Sequence, residues 1–142
     1  MKRNSLNLYT ILGFSILLFM ISSCATKVPF MVSSVVPAAE GKVTLKKDNN
    51  KNYSINVDVI NLADPSRLQP SKSTYVVWME SNRNDIKNIG QINSSSKFLS
   101  NKLKGSFSTV SVTKPTKVFI TAENDGKIEY PGDMVVLTTR NF

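Results

Sequence analysis

The sequence predicts an all-β domain, a sandwich of about seven or eight short antiparallel strands, preceded by a helical export signal. Three observations predict it. Past residue 24 no stretch repeats apolar residues at helical period. Short runs of β-branched and aromatic residues instead alternate with polar ones, parted by Asn-, Asp-, Gly- and Pro-rich turns roughly every ten residues. The densest run, residues 73–81, holds the only tryptophan and is apolar on both faces, with Tyr75, Val77 and Met79 on one and Val76 and Trp78 on the other. Such a run is a central strand, covered by a second sheet on one face and at least partly on the other. Trp78 then anchors a sandwich core, provided its ring N–H finds an acceptor.

The chain of 142 residues is sized for one domain. Its start reads as a processing segment. Lys2 and Arg3 precede a mostly apolar stretch centred on residues 11–21, and small residues Ser22 and Ser23 follow. Basic head, short apolar core and small-residue exit are the parts of an export signal. A spanning helix needs about 20 apolar residues, whereas this run is shorter and interrupted by Thr10, Gly13 and Ser15.

The single cysteine stands where cleavage would fall. Ile21-Ser22-Ser23-Cys24 resembles the lipobox of bacterial lipoproteins. The resemblance implies diacylglycerol on the Cys24 sulfur, cleavage before it and a fatty acyl group such as palmitate on the new amino terminus. Residues 1–23 are then signal peptide, 24–27 a lipidated tether and 28–142 the sandwich. Acylation also accounts for an odd cysteine in an oxidising compartment, and two or more acyl chains hold a protein stably on a bilayer. The other reading is an ordinary secreted protein with a free thiol. Ala25 stands where familiar inner-membrane lipoproteins carry Asp, which implies an outer-membrane location facing the periplasm. Loss of Lys2 and Arg3 from 18 basic residues leaves 16 against 10 acidic ones, a balance that favours anionic surfaces. The lysines look scattered along the sequence, as solvated outward positions. Nucleic acid is not expected as a partner of an exported chain.

Taken in order, Val28, Phe30 and Val32 alternate as a first strand, confined to a sheet edge by Pro29, and residues 37–41 break the pattern. Residues 42–47 and 53–60 form a hairpin, with Val43, Leu45, Tyr53, Ile55, Val57 and Val59 inward. Asp48, Asn50 and Asn52 in its turn copy the first oxygen positions of a calcium loop. Tyr53 and Val59 occupy the places of the required Gly and Glu, so a plain turn is expected and no metal. Residues 62–72, with Pro65 and Pro70, are a crossover between sheets. Long loops carry binding functions, which makes Arg67 a candidate partner contact. Residues 82–85 are a tight turn and 86–92 the neighbour of the central strand. Residues 94–97 are flexible. Residues 102–112 form a strand in which Gly105 permits a bulge or close approach. Residues 118–123 and 134–139 are the last two strands, parted by the turn signal Asn124-Asp125-Gly126.

Within residues 73–139, Tyr75-Val76-Val77-Trp78-Met79-Glu80, Ile89-Gly90-Gln91-Ile92, Gly105-Ser106-Phe107, Val118-Phe119-Ile120-Thr121-Ala122-Glu123 and the stretch from Tyr130-Pro131-Gly132-Asp133 to Leu137 follow one another in a telling order. Their order and spacing resemble the extracytoplasmic C-terminal domain of anti-sigma-K factors. That resemblance implies an immunoglobulin-like sandwich. It does not carry sigma binding, because the chain has no zinc-binding inhibitory domain: it has no histidine and no second cysteine. Residues 41–62 more distantly resemble strand pairs of Bacteroidetes-type lipoproteins of unassigned function.

Catalytic chemistry finds little support. Without histidine there is no imidazole base and no usual transition-metal site. Glu80, Glu123, Asp125, Glu129 and Asp133 offer carboxylates, but no spacing selects a pair, and nothing marks a Ser–Lys dyad. No catalytic residue, cofactor or metal is therefore expected. The leading expectation is a membrane-anchored, non-catalytic binding or structural module of the cell envelope, held on the bilayer through Cys24 and facing a protein or glycan partner. The alternatives are a ligand-sensing accessory of an envelope-stress pathway and a small carboxylate hydrolase.

Overall fold

The computed structural model describes residues 25–82, 85–95 and 103–142. The export signal and Cys24 lie outside them, as do the middle of the 82–85 turn and residues 96 and 97 of the stretch expected to be flexible at 94–97. Among the described residues, nine strands form two antiparallel sheets. They are β1 (Ala25–Pro29), β2 (Glu40–Lys47), β3 (Tyr53–Leu62), β4 (Thr74–Ser81), β5 (Ile86–Gln91), β6 (Asn93–Ser95), β7 (Leu103–Ser111), β8 (Pro115–Glu123) and β9 (Val135–Thr138). One sheet runs β1-β2-β3-β7-β6 and the other β5-β4-β8-β9. With β2, β3, β7 and β6 as strands A, B, E and D, and β5, β4, β8 and β9 as C′, C, F and G, this is the immunoglobulin-like order.

The alternation in the sequence becomes the core. Val43, Ile55, Val57 and Val59 from one sheet face Tyr75, Val77, Met79, Val118, Ile120, Val136 and Leu137 from the other, all at 1 % exposure or less. The β2–β3 turn closes locally: Asp48 accepts the Asn52 backbone N–H on Oδ1 (2.8 Å) and its amide on Oδ2 (3.1 Å). Both oxygens of the first would-be calcium ligand are thus turned onto the hairpin itself. Lys51 takes the left-handed φ of 66° that the turn demands.

Two strands exceed the sequence expectation. β1 starts at Ala25, where a tether was expected, and pairs with β2 from Ala25↔Lys46 to Pro29↔Lys42. Only Val28 of this edge strand is buried, so no alternation announces its first residues. The expected continuation through Val32 fails. Phe30 donates to the Gly41 carbonyl (3.0 Å) and Met31 to that of Thr138 (2.8 Å), so the chain leaves one sheet for the other and Val32 is 88 % exposed. β6 is the other addition. It places Ser94 and Ser95 against β7 in a region expected to be flexible.

Only Ile92 separates β5 in one sheet from β6 in the other. Two glycines let the chain cross there. A Cβ on Gly90, whose φ is +142°, would lie 2.3 Å from the Phe107 ring, and one on Gly105 would lie 2.3 Å from Ile92. Of the two options read at Gly105, the structure uses close approach.

Trp78 corrects the sequence reading. Its side chain is fully buried, but on the outer face of the four-stranded sheet rather than in the core between the sheets. There it forms a second small core with Val76 and Phe119, the two rings stacked at 6.3 Å between centroids and 15° between planes. Ile128 of the β8–β9 connection caps them. Asn88 holds that connection down, its Nδ2 donating to the Gly126 (3.0 Å) and Ile128 (2.9 Å) carbonyls. The ring N–H does find its acceptor, Thr121 Oγ1, at 2.8 Å.

Candidate functional site

The strand registers give the sandwich two distinct ends. At one lie Ala25, the β2–β3 hairpin, the β7–β8 turn and Phe142. At the other lie the β1–β2 connection (residues 30–39), the β3–β4 connection (63–73) and the β8–β9 connection (124–134). The last two correspond to the B–C and F–G loops, which form the binding end of antibody variable domains.

This far end is grooved and apolar. The larger groove, about 580 Å³, is lined by residues including Pro29, Phe30, Met31, Pro37, Gly41 and Ile60. A second groove of about 490 Å³ runs between the β1–β2 and β3–β4 connections, among Val35, Pro37, Ala63, Arg67, Leu68 and Met134. Met31 and Val35 are exposed here, as is Val32, and Tyr130 on the β8–β9 connection is 80 % exposed. Isolated exposed apolar residues are ordinary, whereas several gathered around grooves mark a contact surface.

Arg67 lies on this surface. It closes a 3₁₀ turn, Pro65–Arg67, capped by Asp64, whose Oδ1 accepts from Ser66 N (3.0 Å) and Ser66 Oγ (2.7 Å). These two hydrogen bonds, helped by the nearby Arg67 charge, hold the Asp64 carboxyl below its ordinary pKa. Arg67 is exposed, and among the described residues its guanidinium makes no ion pair or hydrogen bond. The loop beneath is fixed to the core: the Tyr75 hydroxyl donates to the Ala63 carbonyl at 2.9 Å. Burial first, then the Asp64 charge, push the Tyr75 phenol up to about 12. The result is a free, planar donor fork beside an apolar trough on an anchored loop, suited to a carboxylate, phosphate or sugar hydroxyl on a partner.

Of the carboxylates considered from sequence, Glu80 is set apart from the other four, which lie in or beside the β8–β9 connection. Glu80 lies near the Ala25 end of β4, opposite Lys117. Glu123 lies at the far end of β8, opposite Thr74, with Oε1 accepting the Gly132 N–H at 2.8 Å. Asp125 Oδ1 accepts the Lys127 N–H at 2.9 Å, and Glu129 and Asp133 are exposed in the same connection. Among the described residues no group of three or more Cys, Asp or Glu could hold a metal ion, and no helix is long and apolar enough to cross a membrane.

Sequence reading singles out Arg67 as a candidate and does not name the apolar lining beside it. Val32 reads as part of the first strand and Val35 is given no role; the available signal is a stretch, 28–39, whose only polar residues are Ser33 and Ser34. In comparisons with known proteins the chain matches no family model, no curated protein and no solved structure.

Proposed function

We propose that this chain is a lipid-anchored lipoprotein of the cell envelope whose sandwich is a non-catalytic binding module for a protein or glycan. The observation that carries the reading is the placement of the grooved, apolar end with the unpaired Arg67 at the opposite end of the strands from Ala25. A chain acylated at Cys24 is attached one residue before Ala25. Its binding loops then point away from the bilayer toward whatever lies in the envelope beyond. The outer membrane, facing the periplasm, is the location proposed.

The test is site-specific photocrosslinking in membranes, with the crosslinker at position 35 or at the exposed Gln69 beside Arg67, and a control at the exposed Ser108 on the five-stranded sheet. The reading expects one adduct from positions 35 and 69 that is absent at 108 and lost in Arg67→Glu. Equal labelling from all three positions would remove it. Cys24→Ala is expected to move the protein out of the membrane fraction; unchanged fractionation would remove the anchor. A second reading, a ligand-sensing accessory of envelope-stress signalling, is supported by the ordered likeness of residues 73–139 to the anti-sigma-K domain. It expects the crosslinked partner to be a membrane-spanning regulator.

A further inference from the structure

Four of the lysines that look scattered in the sequence are gathered at one end by the fold. Lys46 pairs directly opposite Ala25, Lys47 closes the same strand, Lys51 sits in the β2–β3 turn and Lys114 in the β7–β8 turn, all exposed. Lys47, Lys114, Tyr53 and Phe142 line one shallow groove of about 210 Å³, which brings the two turns together. The acidic groups at this end leave it positive. Asp48, bonded to the uncharged Asn52, stands against one of the four lysines, Asp85 pairs with Lys87 at 3.0 Å, and Glu80 lies opposite Lys117. Glu40, Asp64, Glu123, Asp125, Glu129 and Asp133 lie at the other end, against Arg67, Lys72, Lys104 and Lys127, with Asp58 directly opposite Lys42. The sandwich is therefore polarised along its strands, positive where the chain enters it. The same end exposes apolar side chains: Val112 in the β7–β8 turn (82 %) and Val110 beside it (62 %).

We infer that this end is a second membrane contact, seated on anionic phospholipid headgroups with Lys46, Lys47, Lys51 and Lys114 facing phosphates and Val112 dipping to the acyl boundary. The inference rests on the reading of Cys24 as the anchor, which places this end within a few residues of the bilayer. Lysines near an anionic surface each strengthen attachment about fivefold, and exposed apolar tips add burial. The consequence is orientation: the acyl chains hold the protein at the membrane, and the lysines hold it upright with the Arg67 end outward.

The test uses the full chain as the cell processes and purifies it, with its intact mass read first. It is reconstituted into vesicles of phosphatidylcholine alone or with phosphatidylglycerol, and hydrogen exchange is followed by mass spectrometry. In the anionic vesicles, peptides covering residues 46–52 and 110–114 are expected to exchange at least about fivefold more slowly than in neutral ones. Residues 63–73 should not change. The protection should vanish in about 1 M salt, where the screening length is about 3 Å, and in the variant Lys46→Gln/Lys47→Gln/Lys51→Gln/Lys114→Gln. The salt arm needs no variant to fold. Equal exchange in both vesicle types, or protection of residues 63–73 instead, would overturn the inference. An unmodified Cys24 in the intact mass overturns the anchor reading and not this one. The same unacylated chain is then sedimented with the two vesicle types, where salt-sensitive binding to the anionic set alone supports the surface and its absence refutes it.

Discussion

Replacing Thr121 by Val keeps the side chain's shape but deletes the acceptor of the Trp78 ring N–H, a 2.8 Å hydrogen bond between two fully buried groups. The indole N–H then has no partner and no water. A donor stranded this way costs about 1 to 3 kcal/mol, more than the net worth of the bond, because desolvation is no longer offset. Trp78→Phe removes the donor and leaves a void under Ile128, costing about 2 to 4 kcal/mol. In the double variant no polar group is stranded, so the two losses should fall short of additivity by about 1 to 2 kcal/mol. Urea unfolding followed by far-UV circular dichroism measures all four proteins without relying on Trp78 fluorescence. A loss below about 0.3 kcal/mol in Thr121→Val, or strict additivity in the cycle, would show that the outer core is wet or that the bond does not form.

Gly90→Ala should destabilise by about 2 to 4 kcal/mol in the same assay, since a Cβ meets the Phe107 ring at 2.3 Å on a residue with φ of +142°. A neutral result would mean that β5 does not cross to β6 as described. Tyr75 predicts an alkaline limit. Its phenol is raised in the folded state from 10.0 to about 12, so its contribution is complete below pH 10 and is lost as pH rises from 10 to 12. About 2 to 3 kcal/mol should disappear across that window. Tyr75→Phe should cost about 1 kcal/mol at neutral pH but lack this alkaline loss; parallel pH profiles for the two proteins would contradict it. Arg67→Ala, by contrast, should change stability by less than about 0.5 kcal/mol, because the side chain is exposed and unpaired, while abolishing the adduct from position 35. A large loss of stability would show Arg67 to be part of the scaffold instead.

Much of the fold was legible because burial in a sheet writes itself at period two. Val43, Ile55, Val57, Val118 and Ile120 alternate in sequence and meet in the core. The two-faced run 73–81 announced a strand covered on both sides. What it did not announce is which face met the other sheet. Alternation separates two faces but names neither, so Trp78 could be assigned to the wrong core. Edge elements were harder still. β1 and β6 are held by backbone pairing, and their side chains carry little pattern. The site was legible only at Arg67, through loop length. Its apolar trough joins residues 35, 63 and 134, and the lysine-rich end joins residues 47 and 114. Such pairings exist only after β7 and β8 have set the register, which no local pattern encodes.

What is attached to residue 24 decides how the sandwich meets the membrane. Mass spectrometry of the amino-terminal peptide from protein extracted with membranes tests it most directly. The predicted peptide begins at Cys24 and carries a diacylglyceryl thioether with an acylated amino group. A peptide that continues upstream through Ser23, or that begins at Cys24 with a free thiol, contradicts it.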